Sequence, residues 1–250
     1  MTTQPEIVLE MNRLMDAARS NAIDMRVIGG LAVRVHSPLQ RQAFTREYPD
    51  IDFVVHKKAR RKLSPFFKEM GYIPDREFNI LNGARRQIFV DSLTGRRIDV
   101  FVGDFEMCHK LPLQKRLGAD PVTVPLAELL LSKAQILELN RKDALDIISL
   151  LLNNELGRDD HKKINLHRIA RLCIRYWGLY KTISINFTRV ENILLHEELD
   201  LTAEEKQIVL RRVHRIQRTL KAINKNLFWK FRDQLGTRIR WYTEVEEVDQ

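Results

Sequence analysis

The feature that most constrains the fold is a change of hydrophobic period partway along the chain. Up to about residue 105, short apolar runs of strand character alternate with segments whose apolar residues recur every three or four positions. From Pro125 onward only the second pattern remains. A chain of this kind is expected to form an α+β fold. A mixed sheet flanked by helices fills residues 1–120, and an all-helical region follows over 121–250. At 250 residues the chain is long enough for each part to bury its own core.

Within the first part, residues 6–20 carry Ile7, Met11, Leu14 and Ala18 at helical spacing. MRVIGG reads as a strand ending in the pair Gly29-Gly30, with LAVRVH opening a helix after it. A polar loop broken by Pro38 and Pro49 leads to the strand DIDFVV. KKARRKLSPFFKEMGY reads as a helix closed by Gly71. REFNILNG, ARRQIFVD and RRIDVFVG read as strands, the last two joined through SLTG as a hairpin. In the second part no strand is expected. Thr202 and Glu205 form a capping box at the start of a helix, along which Val209, Val213, Ile216, Leu220 and Ile223 make one stripe. Arg211, Arg215 and Arg218 lie on the opposite face.

Apolar residues at 44% and charged residues at 30% describe an ordinary soluble protein. The longest strongly apolar run, Ile147 to Leu152, is far too short to span a bilayer, and the N-terminus lacks a basic stretch followed by an apolar core. A cytoplasmic protein with no membrane partner is expected. Cys108 and Cys173 have no zinc or disulfide spacing. The formal charge of +9 is uneven: residues 158–240 hold 19 Lys and Arg against 9 Asp and Glu, while the last ten residues hold four acids and no base. That excess favours a polyanionic partner such as nucleic acid, although a basic surface also serves solubility. Trp229, Trp241, Phe228, Phe231 and Tyr242 are interleaved with bases and could stack on nucleobases or dock the tail.

The residues that carry chemistry lie in the first part. In DIDFVV, alternation places Asp50 and Asp52 on one face of a strand and Ile51, Phe53 and Val55 on the other. Two like charges on one face suit a solvated strand end, or a place where a cation neutralises them. Gly29 and Gly30, between a strand and a helix, let backbone approach a phosphate closely. Asp99 is the lone acid inside the apolar strand RRIDVFVG; a buried carboxylate there needs a partner. A glycine pair, a DxD strand and a third acid make a set that could hold magnesium between carboxylates and nucleotide phosphates.

This order resembles the nucleotidyltransferase superfamily of polymerase-beta-like fold, and within it the branch of the AbiEii-like proteins of toxin-antitoxin systems. The resemblance is carried by VIGGLAVRVH, TREYPDIDFVV, RRIDVF and LLLSKAQILELNRKDALDIISLL, over about residues 20–152. It implies that Asp50, Asp52 and Asp99 bind Mg2+ or Mn2+, with Asp99 also activating the attacking hydroxyl. It implies that Gly29 and Gly30 hold the triphosphate, that Lys133 reaches a phosphate, and that Arg46 contacts phosphate or orients the acid pair. The 19 residues between Gly30 and Asp50 exceed the usual spacing, which points to an insertion at about 37–49. Arg141 or Lys142 could instead pair with Asp146 to fasten a helix.

The expected activity is transfer of a nucleoside monophosphate from a nucleoside triphosphate to a hydroxyl, with release of pyrophosphate. An RNA end is the preferred acceptor, because a basic helical region welcomes a polyanion, and a protein hydroxyl comes second. Two other classes fit the same residues: a nucleotide-binding regulator or toxin-antitoxin component with little turnover, and a basic nucleic-acid-binding protein whose acids are structural.

Overall fold

The computed structural model describes residues 3–38 and 41–244. Of the acids that end the chain, Glu246, Glu247 and Asp249 lie outside the described residues. The chain divides into two compact units. The first comprises residues 1–35, 46–105 and 111–125; the second comprises 36–45, 106–110 and 126–250.

The first unit is built on a five-stranded mixed sheet in the order β1-β2-β5-β4-β3. Its strands are β1 (Met25–Ile28), β2 (Asp50–Val55), β3 (Tyr72–Pro74), β4 (Arg86–Asp91) and β5 (Arg97–Val102). β2 and β5 run parallel, and every other neighbouring pair is antiparallel. The helices of this unit are α1 (Ile7–Ser20), α2 (Gly29–Val35), α3 (Arg60–Glu69) and α4 (Arg76–Asn82). Ile51, Phe53, Val55, Ile98 and Val100 are fully buried, as the alternation in β2 and β5 requires. α3 buries Leu63, Phe66 and Phe67, and the Phe67 ring stacks on Phe89 of β4 at 4.4 Å. The expected β4-β5 hairpin forms, with Gly95 of the SLTG turn at φ +71°.

No strand was expected at β3, and one expected strand is a helix. REFNILNG was expected to be a strand and is the helix α4. Its start is set by Asp75, whose side chain accepts from the Phe78 amide at 3.0 Å. Asn79 then clasps β4 from the helix, accepting from the Ile88 amide at 2.7 Å and donating to the Ile88 carbonyl at 2.9 Å. With Asn79 taking the place of a strand partner there, Ile80 and Leu81 remain exposed.

The second unit is helical: α5 (Leu126–Ala134), α6 (Arg141–Asn153), α7 (Leu166–Arg175), α8 (Trp177–His196), α9 (Ala203–Lys221) and α10 (Leu227–Leu235). The expectation of no strand fails in one place, where Leu156–Gly157 and Ile164–Asn165 pair in parallel. The capping box at α9 is present, and its Glu205 also receives Arg41 from the loop before β2. Val209, Val213, Ile216 and Leu220 are buried, while Arg211, Arg215 and Arg218 are exposed. Arg212 donates to the Leu151 and Leu152 carbonyls at 2.6 and 2.9 Å, closing the last turn of α6. Among the described residues no helix is long and apolar enough to cross a membrane.

Candidate active site

The parallel pairing of β2 with β5 puts Asp52 directly beside Asp99, and Asp50 beside Arg97. Pairing of β4 with β5 sets Ile88 opposite Asp99, so that Arg86, two residues earlier on the same face, lies diagonal to that acid. One face of three adjacent strands therefore carries Asp50, Asp52, Asp99, Arg86 and Arg97. The other face carries Ile51, Phe53, Ile98 and Val100, whose burial holds the charged set in place.

The three acids differ in their surroundings. Asp50 and Asp52 are half-buried, whereas Asp99 is only 3% exposed. Asp99 has the partner its burial demands: Arg86 Nε donates to its two oxygens at 2.8 and 3.0 Å, and Arg86 Nη2 donates to Oδ2 as well. Arg97 Nη2 stands 3.6 Å from the same oxygen. Burial alone would lower the Arg86 pKa, but its bonds to Asp99 and the charges of Asp99, Asp52 and Asp50 raise it. Arg86 thus sits in the field of all three acids. It was missed in the sequence because its pairing with Asp99 spans a hairpin that fixes register only once folded. The available signal was the isolated acid itself, which called for a cation on a neighbouring strand.

The glycine pair packs against this face. Gly29 has φ +74°, and a Cβ there would overlap the Asp52 carboxylate. A Cβ on Gly30 would overlap Arg46 Nη2 and stand 3.3 Å from Tyr48 Cε1. Asp52 and Arg46 therefore lie over consecutive stretches of bare backbone. The Tyr48 ring gathers two cations, with Arg46 Cζ at 5.0 Å and Arg34 Cζ at 5.6 Å from its centroid. Sequence reasoning named Arg46 and passed over Arg34, which lies one helical turn beyond Gly30.

Lys133 is in the helical unit, where its Nζ is 2.8 Å from Asp143 and 2.9 Å from Asp146. Burial alone would lower its pKa, yet Asp146 and Asp143 together raise it. Its charge is matched inside that unit. Asp146 takes Lys133 rather than only the neighbouring bases of α6, and Arg141 pairs with Glu197.

The donor set was expected to hold magnesium or manganese. Carboxylate oxygens suit such hard ions, and Asp50 with Asp52 supplies an adjacent pair that nucleotide phosphates would complete. Asp99 fits less well, since both of its oxygens already accept from Arg86. Among the described residues no group of three or more His, Cys, Asp or Glu side chains is gathered in a way that could hold a metal ion.

No family model matches the chain, and no curated protein matches it. Among solved structures, the crystal structure of an antigenic nucleotidyltransferase-like protein from Paracoccidioides brasiliensis is similar to it. The TM-score is 0.40 at 17% identity, over 72% of this chain and 93% of that chain.

Proposed function

We propose that this chain is a metal-dependent nucleotidyltransferase. It moves a nucleoside monophosphate from a nucleoside triphosphate to a hydroxyl acceptor and releases pyrophosphate. The observation that carries this reading is the placement of Asp50 and Asp52 on one sheet face, with the Asp52 carboxylate against the bare backbone of Gly29. Asp50 and Asp52 would hold Mg2+ or Mn2+, which supplies neutralisation of phosphate charge.

The chain's own residues do the rest. Gly29 and Gly30 present backbone without a side chain, which lets the Asp52 carboxylate and the Arg46 guanidinium lie against it, where a triphosphate would meet both groups. Arg46 and Arg34, brought together by Tyr48, supply positive charge beside that backbone. The acceptor oxygen bonds to the α-phosphorus as the bond to the oxygen bridging to the β-phosphate breaks. The hydroxyl proton passes to water, and pyrophosphate leaves. In this chemistry the protein contributes positioning and electrostatics rather than a covalent intermediate.

An RNA end is the preferred acceptor, ahead of a protein hydroxyl. The exposed row of Arg211, Arg215 and Arg218 supports it, as does the sorting of the C-terminal aromatics. Trp229 is buried and Trp241 donates to Thr182, so both are docked, whereas Phe228 is 87% and Phe231 63% exposed and open to stacking. The Arg86 fork on Asp99 favours a second reading, a nucleotide-binding regulator or toxin-antitoxin component with little turnover.

The test is incubation of the purified chain with Mg2+, total RNA and each nucleoside triphosphate labelled at the α-phosphate. Label that enters RNA with the wild type, but not with an Asp50→Asn plus Asp52→Asn variant, supports transfer to RNA. Label on protein moves the acceptor to a side-chain hydroxyl. Nucleotide retained with no label transferred supports the regulator.

A further inference from the structure

Arg86 holds Asp99 more closely than Arg97 does. Its planar fork spans both oxygens of Asp99, at 2.8 and 3.0 Å from Nε and with Nη2 adding a second bond to Oδ2. A guanidinium does not lose its proton in a protein, so this charge is permanent. Its position is also held from the sides: Arg86 Cζ lies 5.1 Å from the Phe101 ring centroid and 5.7 Å from that of Phe78. The side chain is 24% exposed and that of Asp99 only 4%, so water does little to loosen the pair.

We propose that Arg86 stands in for a second metal ion, so that the cluster takes one divalent cation through Asp50 and Asp52 and Asp99 is not among its ligands. This rests on the nucleotidyl-transfer reading of the same site. With Arg86 on Asp99 and Arg97 3.6 Å from the same acid, one divalent ion is enough to neutralise the remaining pair, Asp50 and Asp52. A second divalent ion at Asp99 would have to displace Arg86 from both oxygens and would then face that guanidinium, and Arg97 behind it, across a poorly solvated gap. The half-buried Asp50 and Asp52 stand at the more open end of the same face, where phosphate oxygens can complete a coordination shell. Arg86 is thereby a positioning residue. It fixes Asp99 and, through the field it shares with Asp50 and Asp52, sets how much positive charge the site will accept.

The experiment counts ions. The full chain is equilibrated with Mn2+ and a nucleoside triphosphate analogue bearing a methylene bridge between its α and β phosphates. Ion and nucleotide retained with the protein are then measured after ultrafiltration, with circular dichroism as the check on folding. The wild type is expected to retain one Mn2+ per bound nucleotide. Asp99→Asn is expected to retain the same one, Asp52→Asn none, and Arg86→Gln two, because the freed Asp99 opens the second position.

Two ions in the wild type would overturn the proposal, as would loss of the ion from Asp99→Asn or a single ion in folded Arg86→Gln. If Arg86→Gln does not fold, the Asp99→Asn result decides alone. Wild-type protein that retains neither ion nor nucleotide would remove the nucleotidyl-transfer reading itself, and the proposal with it. Two retained ions would leave that reading standing.

Discussion

Replacing Gly29 by alanine attacks the site at its narrowest point, and the neighbouring glycine provides the comparison. Gly29 has φ +74°, a region that costs an L-residue about 1–2 kcal/mol. The added Cβ would also overlap the Asp52 carboxylate and stand 3.2 Å from Asp52 Cβ, so the acid must move and cannot simply rotate its tip away. Together these effects predict a loss of about 2–4 kcal/mol. Gly30 has no such backbone requirement, and its Cβ would meet the flexible end of Arg46. That end can swing aside, so Gly30→Ala should change stability by less than about 1 kcal/mol. Urea unfolding followed by far-ultraviolet circular dichroism gives both values. All three tryptophans, Trp177, Trp229 and Trp241, lie in the helical unit, so their fluorescence reports on the other unit in the same samples. Gly29→Ala should also weaken nucleotide retention with Mn2+ more than Gly30→Ala does. Equal destabilisation by the two substitutions would refute the claim that Gly29 makes room for Asp52.

Other perturbations follow from the same structure. Glu10 is fully buried on α1 and accepts from Tyr72 Oη at 2.8 Å, Arg13 Nε at 2.8 Å and the Gln4 amide at 2.9 Å. Glu10→Leu should cost about 3–5 kcal/mol in denaturant unfolding, by leaving Arg13 and Tyr72 without their shared acceptor. Lys133→Met should cost about 3 kcal/mol because Asp143 and Asp146 lose their common cation, and adding Asp143→Asn and Asp146→Asn should restore most of it. Burial lowers the His109 pKa from 6.5 to about 4, and its Nε2 lies 2.8 Å from Thr182 Oγ1. The folded chain thus resists the proton that the unfolded chain accepts. The stability this group contributes is complete above about pH 6.5 and is lost as pH falls toward 4. His109→Gln should flatten the fall in unfolding free energy across that interval by about 3 kcal/mol, and a pH series of urea titrations would show an unchanged slope if the reasoning is wrong.

The elements that were legible in the sequence are those set by local pattern. Asp50 and Asp52 face away from Ile51, Phe53 and Val55 because a strand alternates, and Thr202 with Glu205 caps α9 because both partners lie within one turn. What escaped depended on contacts distant in sequence. REFNILNG looked like a strand, but Asp75 at its start and the Asn79 clasp on Ile88 make it a helix. The motif around Lys133 is legible, but not that its Nζ lies against Asp143 and Asp146. The need of Asp99 for a partner was visible; that the partner is Arg86 follows only from the register of β4 against β5.

The central claim is that Asp50 and Asp52, the latter seated against Gly29, serve metal-dependent nucleotidyl transfer. It is tested most directly by pyrophosphate release from the purified full chain with a nucleoside triphosphate and RNA, with Mg2+ or with a chelator, beside Asp52→Asn. Release that requires Mg2+ and disappears in Asp52→Asn while the variant stays folded is the predicted result. Release that persists in Asp52→Asn, or a wild-type chain that releases no pyrophosphate with Mg2+, would contradict it.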